Sequence, residues 1–286
     1  MKTLLLIDAN SLIHRFFHAM PPLTTPKGEP IGAIYGLSQV LLRIFREIKP
    51  DYIAGCFDRP EPTFRDEIFK EYKAQRPQAE DALVFQIIKT RELFKQFNVK
   101  TVELPGYEAD DLIGTLAEKF KTESDLQIII FSGDLDNLQL VDGKTVVVDF
   151  LLRGITEVMR YDEAAVVAKY GLSPKQLPDF KAFVGDASDN IPGVKGVGPK
   201  TAAPLIKEFG TAEEVYNSLA IIPEKTVKKI ADQKDTALMS KKLATIVRDA
   251  PVDLKLDDVK VRPFDIVALK KYFGELGFES LVRRLG

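Results

Sequence analysis

Carboxylates gather where apolar segments of this chain end or tight turns begin. Asp8 follows four aliphatic residues, and Asp58 and Asp134 follow further apolar runs. More acids stand at positions 108–111, after a Pro-Gly pair, and at positions 186–189, after a glycine. Like charges held this close disfavour one another, so we expect a bound cation to offset them. The candidate ligands are Asp8, Asp58, Glu108, Asp110, Asp111, Asp134, Asp136, Asp186 and Asp189.

The residue types narrow the choice of cation. The chain has one cysteine, Cys56, and two histidines, His14 and His18, so it lacks a Cys/His zinc spacing. An all-oxygen ligand set suits Mg²⁺ or Mn²⁺. Two such ions about 4 Å apart can activate a water and stabilise the leaving oxygen of a phosphodiester. For each acid the alternative is a capping or turn role, because acids favour the first turn of a helix.

A glycine-rich loop at 191–201 is a second candidate site. Its spacing is close to that of a Walker A loop, but Pro199 intrudes before Lys200 and no strand pattern precedes it, so nucleotide binding is not expected. A tight hairpin between two helices fits better, because glycines let a backbone approach a phosphate. A plain glycine-rich turn is the alternative. The candidate phosphate contacts are Gly193, Lys195, Gly196, Gly198, Lys200 and Thr201.

Basic and aromatic residues alternate with acids in the segment 63–76. Its lysine and arginine side chains can neutralise phosphates, and its aromatic rings can stack on unpaired nucleobases. The interspersed acids make a solvated amphipathic helix an equal alternative. Arg15 stands seven residues after Asp8, so its guanidinium could point at the carboxylate site that contains Asp8 or could form a surface ion pair. The candidate nucleic-acid contacts are Arg15, Arg65, Tyr72, Lys73 and Arg76.

Composition sets limits on partners and location. The 286 residues include 40 bases and 42 acids, and a net charge of −2 argues against a general polyanion binder. It is compatible with a nucleic-acid enzyme whose acids are concentrated in a metal site. No apolar run approaches the ~18 residues of a membrane span. The lone Cys56 indicates a reducing compartment, so we expect a cytoplasmic protein.

The elements that must position these groups follow from hydrophobic periodicity. Strands are predicted at 3–8, 52–58, 127–131 and 145–150, with helices at 33–48, 82–97 and 109–120 between them. Strands that alternate with helices predict an α/β fold with a mainly parallel sheet, whose ligands bind outside the carboxyl ends of the strands. From about 162 the strand signals fade, and a boundary is predicted near 160–172. Helices are predicted there at 162–170, 174–184, 199–209, 211–219, 223–232, 235–247 and 263–285.

These residues occur in an order that resembles a known family, the 5′→3′ exonuclease domain of bacterial DNA polymerase I within the flap endonuclease superfamily. The resemblance runs from Leu4 to about Leu285. It rests on Ile7-Asp8-Ala-Asn-Ser11, Phe57-Asp58, Thr63-Phe64-Arg65, Tyr72-Lys73-Ala-Gln-Arg76-Pro77, Gly106-Tyr-Glu108-Ala-Asp110-Asp111, Gly133-Asp134-Leu-Asp136 and Gly185-Asp186-Ala-Ser-Asp189-Asn-Ile-Pro-Gly193.

The resemblance implies a fold of two units. The first, 1–165, would be a PIN-like or resolvase-like α/β catalytic domain with flanking helices and a helical arch at about 59–100. The second, 166–286, would be an all-α domain with a helix-hairpin-helix at about 185–210. The chain ends where a polymerase would continue, so a stand-alone nuclease or an excised domain is expected.

The resemblance also implies a divalent-metal-dependent 5′→3′ exonuclease and flap endonuclease of replication and repair. Its substrates would be DNA with 5′ flaps, nicks or gaps, and RNA-DNA primers. One ion would be held by Asp58, Glu108, Asp110 and Asp111, and the other by Asp134, Asp136, Asp186 and Asp189, with Asp8 nearby. The expected catalytic residues are Lys73, Arg15, Asp110 and Asp134.

Further expectations concern partners. They are a K⁺ ion at the helix-hairpin-helix, a DNA polymerase in cis or in trans, a monomeric state and a nucleoid-associated location. Two rival functions are a PIN-type ribonuclease, which would lack the long arch and the hairpin domain, and a non-catalytic module that binds DNA junctions.

Overall fold

One mixed sheet forms the centre of the molecule in the computed structural model, which describes residues 1–153 and 157–285. Within those residues the strands are β1 (Lys2–Asp8), β2 (Tyr52–Cys56), β3 (Lys100–Val102), β4 (Leu126–Ser132), β5 (Val146–Arg153) and β6 (Glu157–Tyr161). Their order across the sheet is β3-β2-β1-β4-β5-β6. All neighbours are parallel except β5 and β6, which are antiparallel. The arrangement confirms the predicted α/β class with a mainly parallel sheet.

Helices cover both faces of this sheet. The first five are α1 (Ala9–Ala19), α2 (Gly32–Arg43), α3 (Phe64–Ile68), α4 (Asp81–Gln96) and α5 (Ala109–Phe120), with a π-helical turn at Ile44–Ile48 after α2. The others are α6 (Glu163–Tyr170), α7 (Leu177–Val184), α8 (Pro199–Phe209), α9 (Ala212–Asn217), α10 (Glu224–Ile230), α11 (Lys234–Ala244), α12 (Ile266–Glu275) and α13 (Glu279–Arg284). Among the described residues, no helix is both long enough and apolar enough to cross a bilayer.

The central strand β1 explains how the core is built. Its four aliphatic residues are fully buried because helices cover both faces of the strand. Leu5 and Ile7 belong to a core cluster with α1, α2 and α4, whereas Leu4 and Leu6 belong to a second cluster with α5. This alternation follows the two-residue period of a strand. The parallel register brings the residues that follow β1, β2 and β4 to one edge of the sheet.

The helical region has a core of its own. Phe183, Ile206 and Val215 belong to a third cluster, built mainly from α7 to α10. The last two helices pack elsewhere, because Leu269 and Phe273 join the cluster that contains Leu5. The predicted limits of the two units, 1–165 and 166–286, stay a prediction, but the packing attaches α12 and α13 to the face of the sheet.

The structure differs from the predicted elements at several places. β3 and β6 were missed, since β3 has only three residues and the edge strand β6 buries only Tyr161. The predicted helix at 263–285 is interrupted at Gly277, which has a positive φ of 78°. Within the excursion 59–100, α4 packs against α1 and α2, and only 64–68 of the basic segment is helical.

Candidate metal and nucleic-acid site

A cavity of about 550 Å³ lies at the carboxyl edge of the sheet. Its wall combines carboxylates from three strand ends with cations from α1 and from the segment after α3. The predicted acids that line it are Asp8, Asp58, Glu108, Asp110, Asp134 and Asp189. The predicted cations that line it are Arg15, Lys73 and Arg76. The structure therefore brings together most of the site residues that the sequence singled out.

Two serines connect the ends of β1 and β4. Asp8 caps α1 by accepting a hydrogen bond from the Ser11 amide at 3.1 Å, and its other oxygen accepts from the Ser132 hydroxyl at 2.7 Å. The Ser132 oxygen also accepts from the Asp134 amide at 2.9 Å, which fixes the two acids near each other. Burial raises the pKa of Asp8 to about 6. The hydrogen bonds from Ser132 and Ser11 act to lower this pKa, and the charge of Asp134 acts to raise it.

The start of α5 brings Asp58 and Asp110 to the same place. The Ala109 amide donates to Asp58 Oδ1 at 2.7 Å, and Asn137 Nδ2 donates to Asp110 Oδ1 at 2.8 Å. Burial raises the pKa of Asp110 well above its usual value, and the nearby charges of Asp8, Asp134, Asp136 and Asp58 raise it further. The negative charge of these acids is thus mutually unfavourable in the protein alone.

Asp136 and Asp186 form a separate pair beside a smaller cavity of about 290 Å³. The Lys181 ammonium contacts Asp136 Oδ1 and lies 2.6 Å from Asp186 Oδ2. Burial raises the pKa of Asp136 to about 7, although Lys181 acts against this shift. Burial also acts to raise the pKa of Asp186, but Lys181 and Ser188 outweigh it and lower that pKa. Lys181 was not among the predicted site residues, because its contact with Asp136 joins residues that are 45 apart in the sequence.

The segment that follows α3 covers the cavity and contacts the turn after α7. Lys73 Nζ lies 2.9 Å from Glu108 Oε1 and 3.8 Å from Asp189 Oδ2. The Tyr72 hydroxyl donates to the same two acids at 3.2 and 3.1 Å, and Arg76 lies 2.6 Å from Asp189. Because the Tyr72 side chain is only 5% exposed, its ring has no free face for a base, which corrects its prediction as a stacking contact.

Two further predicted residues have structural roles. Arg65 is 3% exposed, and its guanidinium binds both oxygens of the fully buried Asp111. Asp111 also accepts from the amides of Glu108 and Val247, at 3.1 and 2.9 Å. This geometry corrects the predictions of Arg65 as a DNA contact and of Asp111 as a metal ligand, because their polar atoms are already used inside the protein.

Arg15 lines the main cavity but points partly away from the acids. Its guanidinium donates to the Leu152 carbonyl and lies over the Phe150 ring, 5.3 Å from the centroid. No ion pair of Arg15 is found in the described residues. Its predicted catalytic and DNA-binding roles therefore stay predictions.

The glycine-rich loop forms the predicted turn between α7 and α8. Asp186 and Ile191 pair in an antiparallel bridge, and Gly185 packs against Gly193 so closely that a Cβ on Gly193 would lie 2.3 Å from the Gly185 nitrogen. Gly193 is buried, which corrects its prediction as a phosphate contact. The exposed residues of the turn are Lys195, Gly196, Gly198 and Lys200, and Thr201 is half-buried.

Gln233 supports this turn and was missed by the sequence analysis. Its Oε1 accepts from the Lys195 amide at 2.9 Å, and its Nε2 donates to the Lys195 carbonyl at 3.2 Å. One side chain thus satisfies both backbone groups of a residue at the exposed tip. A glutamine 38 residues away in sequence carried no signal for this contact.

Whether a metal ion fits this site depends on the acids at the carboxyl edge of the sheet. In the part of the chain that the structure describes, no three His, Cys, Asp or Glu side chains are arranged as a ready ligand set. Several acids instead contact Lys73, Arg76 or Lys181. Asp8, Asp110 and Asp134 do fit a hard divalent cation, because they offer only oxygen donors and because the charges of Asp8 and Asp134 raise the pKa of Asp110.

An acidic cavity at the carboxyl edge of a mainly parallel sheet, beside a helical hairpin, defines a resolvase-like nuclease architecture. Comparison with known families agrees: the 5′-3′ exonuclease N-terminal resolvase-like domain matches residues 3–171, and the 5′-3′ exonuclease C-terminal SAM fold matches residues 172–266. The chain belongs to this 5′-3′ exonuclease family of nucleases. The resemblance deduced from the ordered motifs is confirmed.

Individual relatives show the same relationship. The chain is 42% identical over 285 residues to DNA polymerase I of Caldicellulosiruptor bescii, covering 99% of this chain and 33% of the relative. It is 37% identical to a 5′-3′ exonuclease of Aquifex aeolicus, covering 100% of this chain and 96% of the relative. It therefore spans about a third of the length of the polymerase relative and nearly all of the exonuclease.

A solved structure supports the fold. A bacteriophage T5 flap endonuclease, crystallised with DNA and metal ions, superposes with a TM-score of 0.69 at 23% identity. The superposition covers 87% of this chain and 90% of the phage protein. At this level of identity the likeness establishes the fold and not the details of the site.

Proposed function

We propose that this chain is a divalent-metal-dependent, structure-specific 5′→3′ exonuclease and flap endonuclease that hydrolyses DNA at 5′ flaps, nicks and gaps and removes RNA primers. The observation that carries this proposal is the cavity in which acids from the ends of β1, β2 and β4 meet the cations Lys73 and Arg76. Acids alone would repel a phosphate, and bases alone would only bind it. Their combination suits phosphodiester hydrolysis.

The ions proposed here are Mg²⁺ or Mn²⁺. Asp8, Asp58, Asp110 and Asp134 would hold one of them, and Asp136 and Asp186 would contribute to a second. The predicted roles of Glu108 and Asp189 as metal ligands stay predictions. Asp111 is left out because Arg65 occupies both of its oxygens. Bound divalent ions would supply activation of the attacking water and neutralisation of charge on the phosphate.

The protein's own cations would orient the substrate. The Lys73 ammonium lies between Glu108 and Asp189 at the cavity wall, where it can meet a phosphate oxygen and offset the charge that develops during cleavage. Arg76 lies beside it and donates a hydrogen bond to Asp189 at 2.6 Å, although its side chain is 49% exposed. A phosphate placed in the cavity would therefore meet two cations from one segment.

The duplex part of the substrate would rest on the hairpin. Lys195, Gly196, Gly198 and Lys200 are exposed at the tip, and α8 begins directly after it, at Pro199. Backbone amides and lysines at a helix start bind phosphates without reading bases. A K⁺ ion at this turn, a monomeric state, a nucleoid-associated location and a DNA polymerase partner in cis or in trans stay predictions.

Cleavage of a labelled 5′-flap duplex in Mg²⁺ and in EDTA tests the proposal. We expect cleavage near the base of the flap in Mg²⁺ and none in EDTA. A blunt duplex and a single-stranded RNA serve as comparison substrates, since a PIN-type ribonuclease would prefer the RNA. A flap that is bound but never cut would favour the junction-binding alternative and would contradict the proposed nuclease activity.

Paired substitutions test the site assignment. Asp110→Asn with Asp134→Asn should abolish cleavage while the flap is still bound. Asp232→Asn is the matched control, since this acid is exposed in the turn before α11. Full activity in the double variant would show that the acids of the cavity do not hold the catalytic ions.

A further inference from the structure

Lys181 joins two acids that come from different parts of the fold. It lies in the last turn of α7, and its ammonium contacts Asp136, in the turn after β4, and Asp186, in the turn after α7. The side chains are 19%, 23% and 15% exposed, respectively. The contact is therefore a largely buried three-centre arrangement and not a solvated surface pair.

Lys181 supplies the positive charge between the two acids. Its ammonium contacts Asp136 Oδ1 and lies 2.6 Å from Asp186 Oδ2. It occupies carboxylate oxygens that a divalent ion would need, and two cations at one pair of acids would repel each other.

We propose that Lys181 is an internal counter-cation that occupies the Asp136–Asp186 pair and must be displaced before a divalent ion binds there. The inference rests on the proposed function, because it assigns these acids to the second ion. Lys181 would lower the affinity for that ion, so the site would fill only at a higher metal concentration or when a substrate draws the ion in.

The surroundings give the displaced side chain room. Lys181 lines the cavity of about 290 Å³ whose other walls include Tyr170, Phe180 and Val184. The flexible stem of a lysine can lie along such an apolar wall while its ammonium stays near a polar edge. The counter-cation can thus leave the acids without unfolding α7.

A purely structural role makes a different prediction. If Lys181 only ties the turn after β4 to the turn after α7, its removal would loosen the acids and weaken metal binding. If it competes with the ion, its removal would leave two uncompensated acids and strengthen metal binding. Affinity for the metal alone, without DNA or cleavage, separates these roles.

The test uses the full chain and Mn²⁺ as the probe, measured by isothermal titration calorimetry and by electron paramagnetic resonance of free Mn²⁺. We expect Lys181→Met to bind its weaker Mn²⁺ ion about tenfold more tightly than the wild type, since it loses a charge-assisted contact. Lys181→Arg keeps the charge and should match the wild type. Lys175→Met removes an equal charge from a nearby exposed position and is the matched control.

Thermal unfolding gives a second readout. In EDTA, Lys181→Met should melt below the wild type, and saturating Mn²⁺ should raise its melting temperature more than that of the wild type. Equal or weaker Mn²⁺ binding in folded Lys181→Met would overturn the inference while leaving the proposed nuclease intact. Absence of Mn²⁺ binding in all four proteins would overturn both, and the cleavage assay would then show no metal dependence.

Discussion

Arg65 and Asp111 form a buried, bidentate ion pair with nitrogen–oxygen distances of 2.7 and 2.8 Å. The same guanidinium donates to the carbonyls of Leu243, in α11, and Thr245, just after it. One arginine thus connects the segment after β2, the first turn of α5 and the end of α11. The pair holds the acidic turn 108–111 in place and leaves Glu108 and Asp110 to face the cavity.

Loss of Arg65 should destabilise the whole fold. In Arg65→Met, Asp111 remains buried without its partner, and breaking such a pair costs about 3–5 kcal/mol. Urea unfolding in EDTA measures the change. Lys228→Met is the matched control, because the Lys228–Glu224 pair is equally short at 2.6 Å but exposed to solvent. A change in Arg65→Met as small as that of the control would contradict this account.

Two glycines of the hairpin should respond differently to the same substitution. Gly193 and Gly196 both have positive φ, 61° and 82°, so alanine at either position costs about 1–2 kcal/mol. Only at Gly193 would the new Cβ also clash, at 2.3 Å from the Gly185 nitrogen, which adds roughly 1–3 kcal/mol. Urea unfolding should give Gly193→Ala a clearly smaller free energy of unfolding than Gly196→Ala. Equal losses of stability in the two variants would mean that the two glycines do not pack as described.

Asp110→Asn should stabilise the protein in EDTA and remove its response to metal. Burial and four neighbouring acids raise the pKa of Asp110, so its charge works against folding when no cation is bound. An amide of the same shape relieves this repulsion, and we expect a gain of about 0.5–2 kcal/mol in the free energy of unfolding. Adding Mn²⁺ should then raise the melting temperature less than in the wild type.

Asp232→Asn provides the comparison for this stability test as well. It makes the same chemical change on an exposed turn, so it should alter neither the stability in EDTA nor the response to Mn²⁺. If Asp110→Asn lowers stability in EDTA instead, the acids of the cavity do not repel one another as the pKa shifts indicate.

The sheet and its acidic edge could be predicted because their signals are local. The aliphatic run before Asp8 has the pattern of a central parallel strand, and Asp58 and Asp134 follow similar runs. The chain direction alone then places these acids at one edge. The short β3 and the polar β6 carry too little pattern to be found in this way.

The partners of the charged side chains could not be predicted from the sequence. Asp111 stands three residues after Glu108, a spacing that suits a capping pair and a ligand pair equally. Only the packing of α3 against α11 shows that Arg65 binds the Asp111 carboxylate. Lys181 and Gln233 were missed for the same reason, because their contacts join elements that are distant in sequence.

Exposed lysines of the hairpin should contribute to DNA affinity through phosphate contacts. Lys200→Ala should weaken binding of a flap duplex in EDTA, and the slope of log affinity against log salt should fall by about 1, since one phosphate contact is lost. Fluorescence anisotropy at several salt concentrations measures both. Lys225→Ala on α10 is an exposed control of equal charge, and an unchanged slope in Lys200→Ala would remove this residue from the DNA surface.

Lys73→Met should separate catalysis from binding. Lys73 adopts a left-handed backbone with φ of 53°, and its amide donates to the Asp189 carbonyl at 3.0 Å. Such conformations persist only where the surroundings hold them, and they concentrate at functional sites. We expect single-turnover cleavage to fall by roughly 10²–10³-fold, the usual cost of losing a charge-stabilising group. Affinity for the flap should stay within a few-fold of wild type.

Lys70→Met is the control for that measurement, because Lys70 is an exposed base of the same segment. Its cleavage rate should match the wild type. Should Lys73→Met lose affinity and cleavage in equal proportion, Lys73 would be a binding residue, and the charge that develops on the phosphate would have to be offset by Arg76 or Arg15. Because Lys73 bridges Glu108 and Asp189, circular dichroism must first establish that the variant is folded.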